Sequence, residues 1–279
     1  MTESKLTIKG IRANGIHSDA KLRGSDFVMA GHDCHNFYEL FYVESGVCRF
    51  FIDDSIQDLH SGTFILIPPM ALHYTRYPQG SCKRIVTTFG SEDLSEETMG
   101  LMPQGGAFFT EKRVFQVPLA YQSQLISCLA QISAEEKIGD HRSTMMQKTC
   151  LQWLFILCSR VCIFLNDSPT DIHTTDPQIV HAARFIAEQY MNDITLQDIA
   201  DAVGFSPNYL SRKFREATGI RLHEYLVFMR LNHAAMELVS TQDSIITIAL
   251  RCGFSDSNYF KDCFKKKYGL TPREYRKLS

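Results

Sequence analysis

A degenerate repeat in the C-terminal third of the chain constrains its fold more than any other feature of the sequence. The first copy contains Ile199-Ala200, Gly204-Phe205-Ser206, Asn208-Tyr209, Phe214, Gly219 and Glu224-Tyr225, and the second contains Ile248-Ala249, Gly253-Phe254-Ser255, Asn258-Tyr259, Phe264, Gly269 and Glu274-Tyr275. The offset is 49 residues up to the serine and 50 from the asparagine onward, so one residue is inserted at the turn into the second helix. Each copy is predicted to form a helix, a tight turn and another helix.

Signals at the helix ends support this prediction in the first copy. Thr195, with Asp198 three residues later, resembles a capping box and predicts a helix start. Gly204 suits the left-handed conformation that ends a helix. Ser206 is the expected N-cap of the next helix, with Pro207 in its first position. The two helices therefore form a helix–turn–helix unit.

A connecting helix is predicted from about residue 222 to 239, between the two units. At 1.5 Å per residue it is roughly 27 Å long, and successive major grooves on one face of DNA lie about 34 Å apart. A stiff connector of this length, with a helical unit at each end, can set the two units one turn of DNA apart. The repeat therefore predicts binding to double-stranded DNA through two neighbouring major grooves.

Residues 177–279 resemble the DNA-binding domain of the AraC/XylS transcription regulators. The residues that carry the resemblance are Ile199-Ala200-x3-Gly204-Phe205-Ser206, Ile248-Ala249-x3-Gly253-Phe254, Tyr259-Phe260-x3-Phe264-Lys265-Lys266, Gly269, Thr271-Pro272 and Tyr275-Arg276. The resemblance implies seven helices that form two helix–turn–helix units joined by a long helix. It also implies promoter DNA and RNA polymerase as partners, and a homodimer formed by helices that precede this domain.

The residues expected to contact DNA lie on or next to the second helix of each unit. They are Ser206, Asn208, Tyr209, Ser211, Arg212, Lys213, Ser257, Asn258, Lys261, Asp262, Lys265 and Lys266. The resemblance places base-reading positions at Asn208, Ser211, Arg212, Ser257, Lys261 and Asp262. Arg212 is the candidate for a bidentate contact to guanine. Asp262 stands where a basic residue is common; it could accept a hydrogen bond from cytosine, but near phosphates it is expected to weaken or redirect the second contact. Lys265 and Lys266 are either phosphate contacts or part of a solvated charged surface.

The N-terminal half has the pattern of a small β-barrel followed by helices. Short β-branched and aromatic runs at residues 37–43, 47–52, 63–67 and 84–89 alternate with turn signals. Helices are predicted over residues 119–137 and 142–166, the second with an apolar stripe at spacings of three and four. That stripe either forms the dimer interface, which the family resemblance favours, or packs on its own barrel.

We therefore expect an α+β chain of two domains. Residues 1–118 form a cupin-like, effector-binding barrel, residues 119–166 a helical dimerisation segment, residues 167–176 a linker, and residues 177–279 the all-α DNA-binding domain. The barrel assignment depends on Asp33-Cys34-His35-x3-Glu39-x6-Gly46 and Gly62-x5-Pro68-x4-His73, which resemble the two cupin motifs. Asp33 stands where metal-binding cupins have histidine, and Met70 replaces a glycine of the second motif.

His35, Glu39 and His73 are the barrel residues that could carry chemistry. They are expected to contact the effector, although two imidazoles and a carboxylate are also the ligand set of a non-haem metal, and a purely structural role is the third alternative. No metal or cofactor is expected; if there is a metal, these three residues hold it. The missing histidine at Asp33 and the fused DNA-binding domain argue against a working enzyme. Tyr74 and Arg76, near the predicted barrel mouth, are expected to contact a hydroxylated or anionic effector.

Composition agrees with a DNA-binding protein of the cytoplasm. The net charge is −2, made up of +3 from residue 177 onward and −5 before it, which suits an acidic sensor fused to a mildly basic DNA-binding domain. Nine cysteines without metal-finger spacing, and an N-terminus without a signal pattern, indicate a reducing compartment. The most apolar stretch, residues 150–165, is too short and interrupted to span a membrane.

The predicted function is a transcription regulator, more specifically an activator, that responds to a small-molecule effector bound in the barrel. A sugar is the first expectation, since Gly62-x5-Pro68-Pro69-x3-His73 resembles sugar-responsive AraC relatives. No enzymatic activity is expected. Two alternatives stay open: a metal-dependent cupin enzyme with an accessory DNA-binding domain, and a ligand-independent regulator controlled by a protein partner.

Overall fold

The computed structural model describes residues 7–8, 15–27, 29, 33–52, 55–165 and 176–278. The strands are β1 (Thr7–Ile8), β2 (His17–Arg23), β3 (Asp33–Cys34), β4 (Tyr38–Ser45), β5 (Val47–Ile52), β6 (Ser55–His60), β7 (Thr63–Ile67), β8 (His73–Arg76), β9 (Cys82–Phe89), β10 (Arg113–Gln116) and β11 (Ile163–Leu165). All four predicted strand regions are confirmed. The strands β2, β6, β8 and β10 were not predicted, because they are short or carry mostly polar residues.

The strands form two sheets that pack face to face. One has the order β1-β3-β8-β5-β6 and the other β11-β10-β7-β4-β9-β2. Apolar side chains of both sheets, including Phe41, Phe50, Ile65 and Tyr77, are buried between them. The predicted cupin-like barrel is therefore confirmed.

Two long helices cover the outer face of the six-stranded sheet. A short helix, α1 (Glu96–Gly100), precedes α2 (Leu119–Ile138) and α3 (Ser143–Val161). The prediction that the second long helix continues to residue 166 is wrong at its end. The chain becomes extended at Cys162, and Ile163–Leu165 pairs with β10 at the sheet edge. The β-branched and aromatic residues at 163–165 favour a strand because β10 is available for hydrogen bonding. The helical spacing of apolar residues in the sequence gives no sign of this pairing.

The C-terminal part is helical throughout the described range 176–278. Its helices are α4 (Pro177–Gln189), α5 (Leu196–Val203), α6 (Pro207–Thr218), α7 (Leu222–Ser240), α8 (Ile245–Arg251), α9 (Ser257–Tyr268) and α10 (Pro272–Leu278). The seven predicted helices are confirmed, with α5–α6 and α8–α9 as the two helix–turn–helix units. The predicted linker lies outside the described residues apart from Asp176, which precedes α4.

The helix caps explain the residue inserted in the second copy. In the first unit the Thr195–Asp198 capping box is formed, and Gly204 ends α5 with φ of 71°. Ser206 stands at the N-cap of α6, but its side chain makes no capping hydrogen bond. In the second unit the N-cap of α9 is Asp256, which accepts hydrogen bonds from Asn258 N at 2.6 Å and Tyr259 N at 3.0 Å. The inserted residue therefore supplies a cap that the first unit lacks.

The connector α7 belongs to both halves of the helical domain. Its first half, from Leu222 to Phe228, packs into one buried apolar cluster, and its second half, from Leu231 to Leu238, packs into another. The predicted connecting helix, with a helical unit packed at each end, is confirmed. Among the helices of the described parts of the chain, none combines the length and apolar character needed to cross a bilayer.

Candidate functional site

Three predicted effector residues meet at one end of the barrel, although they come from different strands. Glu39 lies on β4 in the six-stranded sheet, His73 begins β8 in the five-stranded sheet, and His35 follows β3. The Nε2 atom of His35 lies 3.2 Å from Glu39 Oε2, and Nε2 of His73 lies 3.7 Å from the same oxygen. The side chains are 3%, 2% and 12% exposed for His35, His73 and Glu39. Together they form a compact, buried polar cluster.

Backbone carbonyl groups orient both imidazole rings of this cluster. The Nδ1 atom of His35 lies 2.8 Å from Phe37 O, and that of His73 lies 3.1 Å from Ala71 O. A carbonyl only accepts, so each Nδ1 carries the hydrogen and donates it. Burial acts to raise the pKa of Glu39, but the hydrogen bond from His35 and the nearby positive charges outweigh burial and lower that pKa to about 2. Glu39 is therefore an anion at neutral pH.

Tyr74 and Arg76 are separated from this cluster, contrary to the sequence expectation. Successive residues of a strand point to opposite faces of the sheet, so His73 faces the barrel interior while Tyr74 and Arg76 face outward. Tyr74 is buried among residues of the helical domain, and Arg76 donates from Nη1 to the backbone oxygen of Glu216. These two side chains line a contact between domains.

The outer face of the five-stranded sheet packs against the first helix–turn–helix unit. Phe51 of β5 contacts Phe214 of α6 and Tyr225 of α7 edge-to-face, with ring centroids 6.3 and 5.8 Å apart. Gly219, which ends α6, lies so close to Tyr74 that a Cβ atom on it would be 2.5–2.8 Å from carbons of the tyrosine ring. The barrel and the first unit thus share one buried apolar cluster.

Met70 connects the polar cluster to the connector helix. Its amide donates to His35 O at 2.7 Å, and its carbonyl accepts from Asn232 Nδ2 of α7 at 3.5 Å. Met70 has a φ of 68°, a left-handed conformation that is costly for a residue with a side chain. This is the position where the cupin motif has glycine, so the sequence contained a signal for unusual backbone conformation there.

The predicted DNA-contacting residues of the first unit lie on the surface of α6 away from the barrel. Asn208, Tyr209 and Arg212 are exposed, whereas Leu210 and Phe214 on the other face are buried. The Arg212 side chain is 66% exposed and its Nε lies 4.0 Å from Glu216 Oε1. Its guanidinium carbon is 5.5 Å from the centre of the Tyr209 ring. The side chains predicted to read bases are therefore accessible, while the far end of α6 contacts the barrel.

The second unit presents a surface of different charge. Asn258, Lys261, Asp262, Lys265 and Lys266 are exposed on α9, and Phe260 and Phe264 are buried on the other face. At the position equivalent to Arg212, offset by 50 residues, the second unit has Asp262. Lys265 and Lys266 follow one turn later, where the first unit has Arg215 and Glu216. The two recognition helices therefore differ in charge at matched positions.

The apolar stripe predicted for dimerisation is mostly buried within its own domain. Leu151, Leu154, Phe155 and Cys158 belong to the cluster between α2, α3 and the six-stranded sheet. The exposed apolar side chains of α3 are instead Met145, Met146 and Trp153. For the buried part of the stripe, packing on the barrel was the correct alternative.

Sequence reasoning missed the contact between the sensor barrel and the first unit. Four residues of this contact were not predicted to have such a role: Phe51, Gly219, Glu216 and Asn232. The alternation of side chains along β8 was a signal that the sequence did contain. Because His73 and Tyr74 are neighbours on one strand, they cannot face the same side of the sheet. No local signal identifies which element covers the outer face of a sheet.

Two family models match this chain, and together they cover both domains. An AraC-like ligand-binding domain matches residues 17–143, and a helix-turn-helix domain matches residues 199–278. The first range contains the His35, Glu39 and His73 cluster, and the second contains both recognition helices.

One of the following relatives aligns with most of this chain, and the other two match about a third of it. The HTH-type transcriptional activator RhaS of Enterobacter sp. (strain 638) is 26% identical over 247 residues, which are 87% of this chain and 86% of the relative. The melibiose operon regulatory protein of Escherichia coli (strain K12) is 39% identical over 95 residues, 34% of this chain and 32% of that protein. The solved C-terminal domain of AraT, a response regulator from Geobacillus stearothermophilus, is 35% identical, covers 37% of this chain and 86% of its own, and has a TM-score of 0.36.

The ligand-binding model, the helix–turn–helix model and the relatives aligned over most of the chain all agree with the geometry described above. The chain belongs to the AraC family of transcription regulators, with an N-terminal sensor domain and a C-terminal DNA-binding domain.

Proposed function

We propose that this regulator couples an effector bound inside the barrel to DNA binding through strand β8. One observation carries the proposal: His73 and Tyr74 are neighbours on β8, with His73 in the interior cluster and Tyr74 against the first helix–turn–helix unit. A displacement of β8 by an effector moves both faces of the strand together. The effector thereby shifts the balance between two domain arrangements, to the extent that it binds one of them more tightly.

The C-terminal end of α6 is the point where this coupling acts. The last carbonyl groups of a helix lack partners within the helix and carry partial negative charge. Arg76 satisfies one of them, that of Glu216, from the barrel side. The connection from His35 through Met70 to Asn232 is a second route, and it leads to α7. Both routes reach the first unit or its connector, which supports control of the spacing between the two recognition helices.

We propose a small hydroxylated molecule of the sugar class as the effector. A buried carboxylate flanked by two imidazoles can accept and donate hydrogen bonds over the short spacing of neighbouring hydroxyl groups. The relative named as a melibiose operon regulatory protein also supports this class. The effector site comprises His35, Glu39 and His73, while Tyr74 and Arg76 transmit the response.

On the DNA side, we propose that Asn208, Ser211 and Arg212 read bases and that α9 contributes mainly phosphate contacts through its lysines. Ser206, Tyr209, Lys213, Ser257 and Asn258 support the docking of the two helices. The relatives described as transcriptional activators support activation of transcription. We propose RNA polymerase as the partner in this activation and the cytoplasm as its location. For a homodimer, the exposed Met145 and Trp153 on α3 are the candidate contact.

The test combines binding of DNA and of sugars by the full chain. DNA sites are first selected from a random duplex library, and the affinity is measured as a function of salt. With roughly six to ten phosphates contacted, log K falls with log salt at a slope of about −5 to −9. A panel of sugars and sugar acids is then screened by thermal shift, where a ligand of the folded state raises the Tm in a concentration-dependent way.

Three variants separate the two halves of the proposal. His73→Gln is expected to abolish the effector response but to leave DNA affinity without effector unchanged. Arg212→Ala is expected to weaken DNA binding but to leave effector binding unchanged. Tyr74→Ala is expected to keep both binding activities and lose their coupling. If a molecule that stabilises the chain leaves both DNA affinity and transcription unchanged, the proposed coupling is wrong.

A further inference from the structure

Gln57 is a buried polar side chain of the barrel that the proposed function does not use. It lies on β6 and is 5% exposed. Its Nε2 atom is fully buried and donates to no acceptor among the described residues. A buried donor without a partner destabilises the folded protein. The residue therefore weakens the barrel in its present state, which indicates a role other than folding.

The register of the sheet shows that Gln57 faces the barrel interior. It lies directly opposite Phe50 of β5, and opposed residues of two paired strands point to the same face. Phe50 belongs to the apolar cluster between the two sheets. Ile56, the residue before Gln57 on β6, belongs instead to the cluster on the outer face. The unpartnered amide is therefore directed into the space between the sheets.

Gln57 and His73 lie on the same inner face, two strands apart. On the intervening strand β5, Ile52 pairs with His73, and Phe50, two residues earlier, pairs with Gln57. Strands lie about 4.8 Å apart and rise about 3.4 Å per residue, so the Cα atoms of His73 and Gln57 are roughly 12 Å apart. Two polar ends are thus separated by apolar side chains.

We infer that Gln57 is a second polar contact of the effector and that the effector is a monosaccharide. The polar cluster that contains His73 holds one end of the sugar and the Gln57 amide holds the other. Hydrogen bonds of about 2.8 Å at both ends leave roughly 6 Å between the two polar atoms of the ligand. Hydroxyl oxygens at opposite ends of one pyranose ring have this separation. This inference rests on the proposed function, to which it adds a residue and the size of the ligand.

The chemistry between the two polar ends suits a sugar ring. The Gln57 amide donates from Nε2 and accepts at Oε1, so it meets a hydroxyl group in either role. The C–H faces of a sugar are apolar and pack on Phe50 and Ile52, which are fully buried. Because these side chains are closely packed, a sugar enters only as they move apart. Ile52 pairs with His73, so this movement reaches strand β8.

A second buried glutamine provides a matched test that needs no ligand. Gln147 of α3 is 6% exposed, and its Nε2 donates to Ile16 O at 2.8 Å and to Ile132 O at 3.3 Å. Without sugar, Gln57→Leu removes a donor that has no partner and is expected to keep or raise the Tm. Gln147→Leu removes two hydrogen bonds and is expected to lower the Tm by about 2–8 °C. An equal loss in both variants means that Gln57 is paired within the folded chain, and overturns the inference.

The ligand test is a thermal-shift titration of the full chain with named sugars. The monosaccharides are D-glucose, D-galactose, D-mannose and L-rhamnose, and the disaccharide is melibiose. We expect one monosaccharide to raise the Tm, Gln57→Leu to weaken its binding about tenfold, and Gln147→Leu to bind it unchanged. Deoxy analogues then identify the contact. The analogue that lacks the hydroxyl bound by Gln57 is expected to bind the unmodified chain and Gln57→Leu equally well.

The outcomes separate this inference from the proposed function. If a monosaccharide stabilises the unmodified chain and Gln57→Leu binds it with equal affinity, the inference is wrong and the proposed function stands. Stabilisation by melibiose alone overturns the inferred size of the ligand. If no sugar stabilises the unmodified chain, the proposed class of effector is wrong and the inference fails with it.

Discussion

The two helix–turn–helix units share a sequence pattern but differ in what surrounds them. The first unit belongs to a buried cluster that includes Cys34, Phe51 and Tyr74 of the barrel. The apolar cluster of the second unit contains no barrel residue among those described, although strand β1 runs beside α9. Duplication within one chain has therefore produced one unit joined to the sensor and one joined mainly to the connector helix. Among the described residues, the buried apolar contact with the barrel therefore involves the first recognition helix and not the second.

Substitution of the two glycines that end the recognition helices gives the largest expected change in the free energy of unfolding. Gly219 and Gly269 have φ of 75° and 73°, so alanine at either position costs about 1–2 kcal/mol of backbone strain. At Gly269 a Cβ atom meets nothing within 4 Å, whereas at Gly219 it meets the Tyr74 ring. We expect Gly219→Ala to cost roughly 2–5 kcal/mol in the free energy of unfolding, and Gly269→Ala only the strain. Urea unfolding of both variants measures the difference.

A double-mutant cycle with Tyr74 tests the origin of that difference. In the Tyr74→Ala background the clash is absent, so Gly219→Ala is expected to cost no more than Gly269→Ala. The coupling energy between the two positions then equals about 1–3 kcal/mol. Equal costs for Gly219→Ala in both backgrounds would mean that the barrel does not contact the first unit in solution.

Arg212 and Asp262 occupy equivalent positions in the two units. Their substitution gives the next largest expected effect, a change in DNA affinity. Arg212→Ala is expected to weaken binding to the selected site by about 1–3 kcal/mol and to relax the preference at one base pair. Asp262→Arg removes a negative charge near phosphates, so it is expected to tighten binding and to make the salt slope steeper by about one unit. Fluorescence anisotropy on matched and substituted duplexes measures both. An equal loss on all sequences for Arg212→Ala would indicate a phosphate contact instead of a base contact.

The repeat made the helical domain predictable, and the barrel was predictable only in part. Local signals such as Thr195, Gly204 and the apolar spacing of α7 specify helix ends and faces without reference to the rest of the chain. Strand β6 carries Gln57 and Asp58, and β11 continues the helical spacing of α3, so only pairing with a neighbouring strand reveals them. The clustering of His35, Glu39 and His73 followed from the motif, but the contact between Tyr74 and Gly219 depends on domain packing that no local pattern encodes.

The N-caps of the recognition helices give the smallest expected effect. Asp256 accepts two backbone hydrogen bonds at the start of α9, whereas Ser206 makes none at the start of α6. Asp256→Ala is therefore expected to lower the Tm by about 2–4 °C, and Ser206→Ala to leave it nearly unchanged.

The pH dependence of the cap distinguishes its charge from its geometry. The backbone hydrogen bonds from Tyr259 and Asn258 lower the pKa of Asp256 below its ordinary value of 3.8. An aspartate with a lowered pKa stabilises the folded state at pH values above its unfolded pKa, and this contribution disappears as the pH falls through the folded pKa. The Tm difference between the unmodified chain and Asp256→Ala should therefore be constant from pH 5 to 8 and shrink below about pH 4. Asp256→Asn, which keeps an acceptor oxygen without the charge, should show a smaller Tm loss at neutral pH. If Asp256→Asn and Asp256→Ala lower the Tm equally, the charge at the helix N-terminus is the dominant contribution to the cap. If Asp256→Asn leaves the Tm unchanged, the hydrogen bonds alone give the second unit its stronger cap.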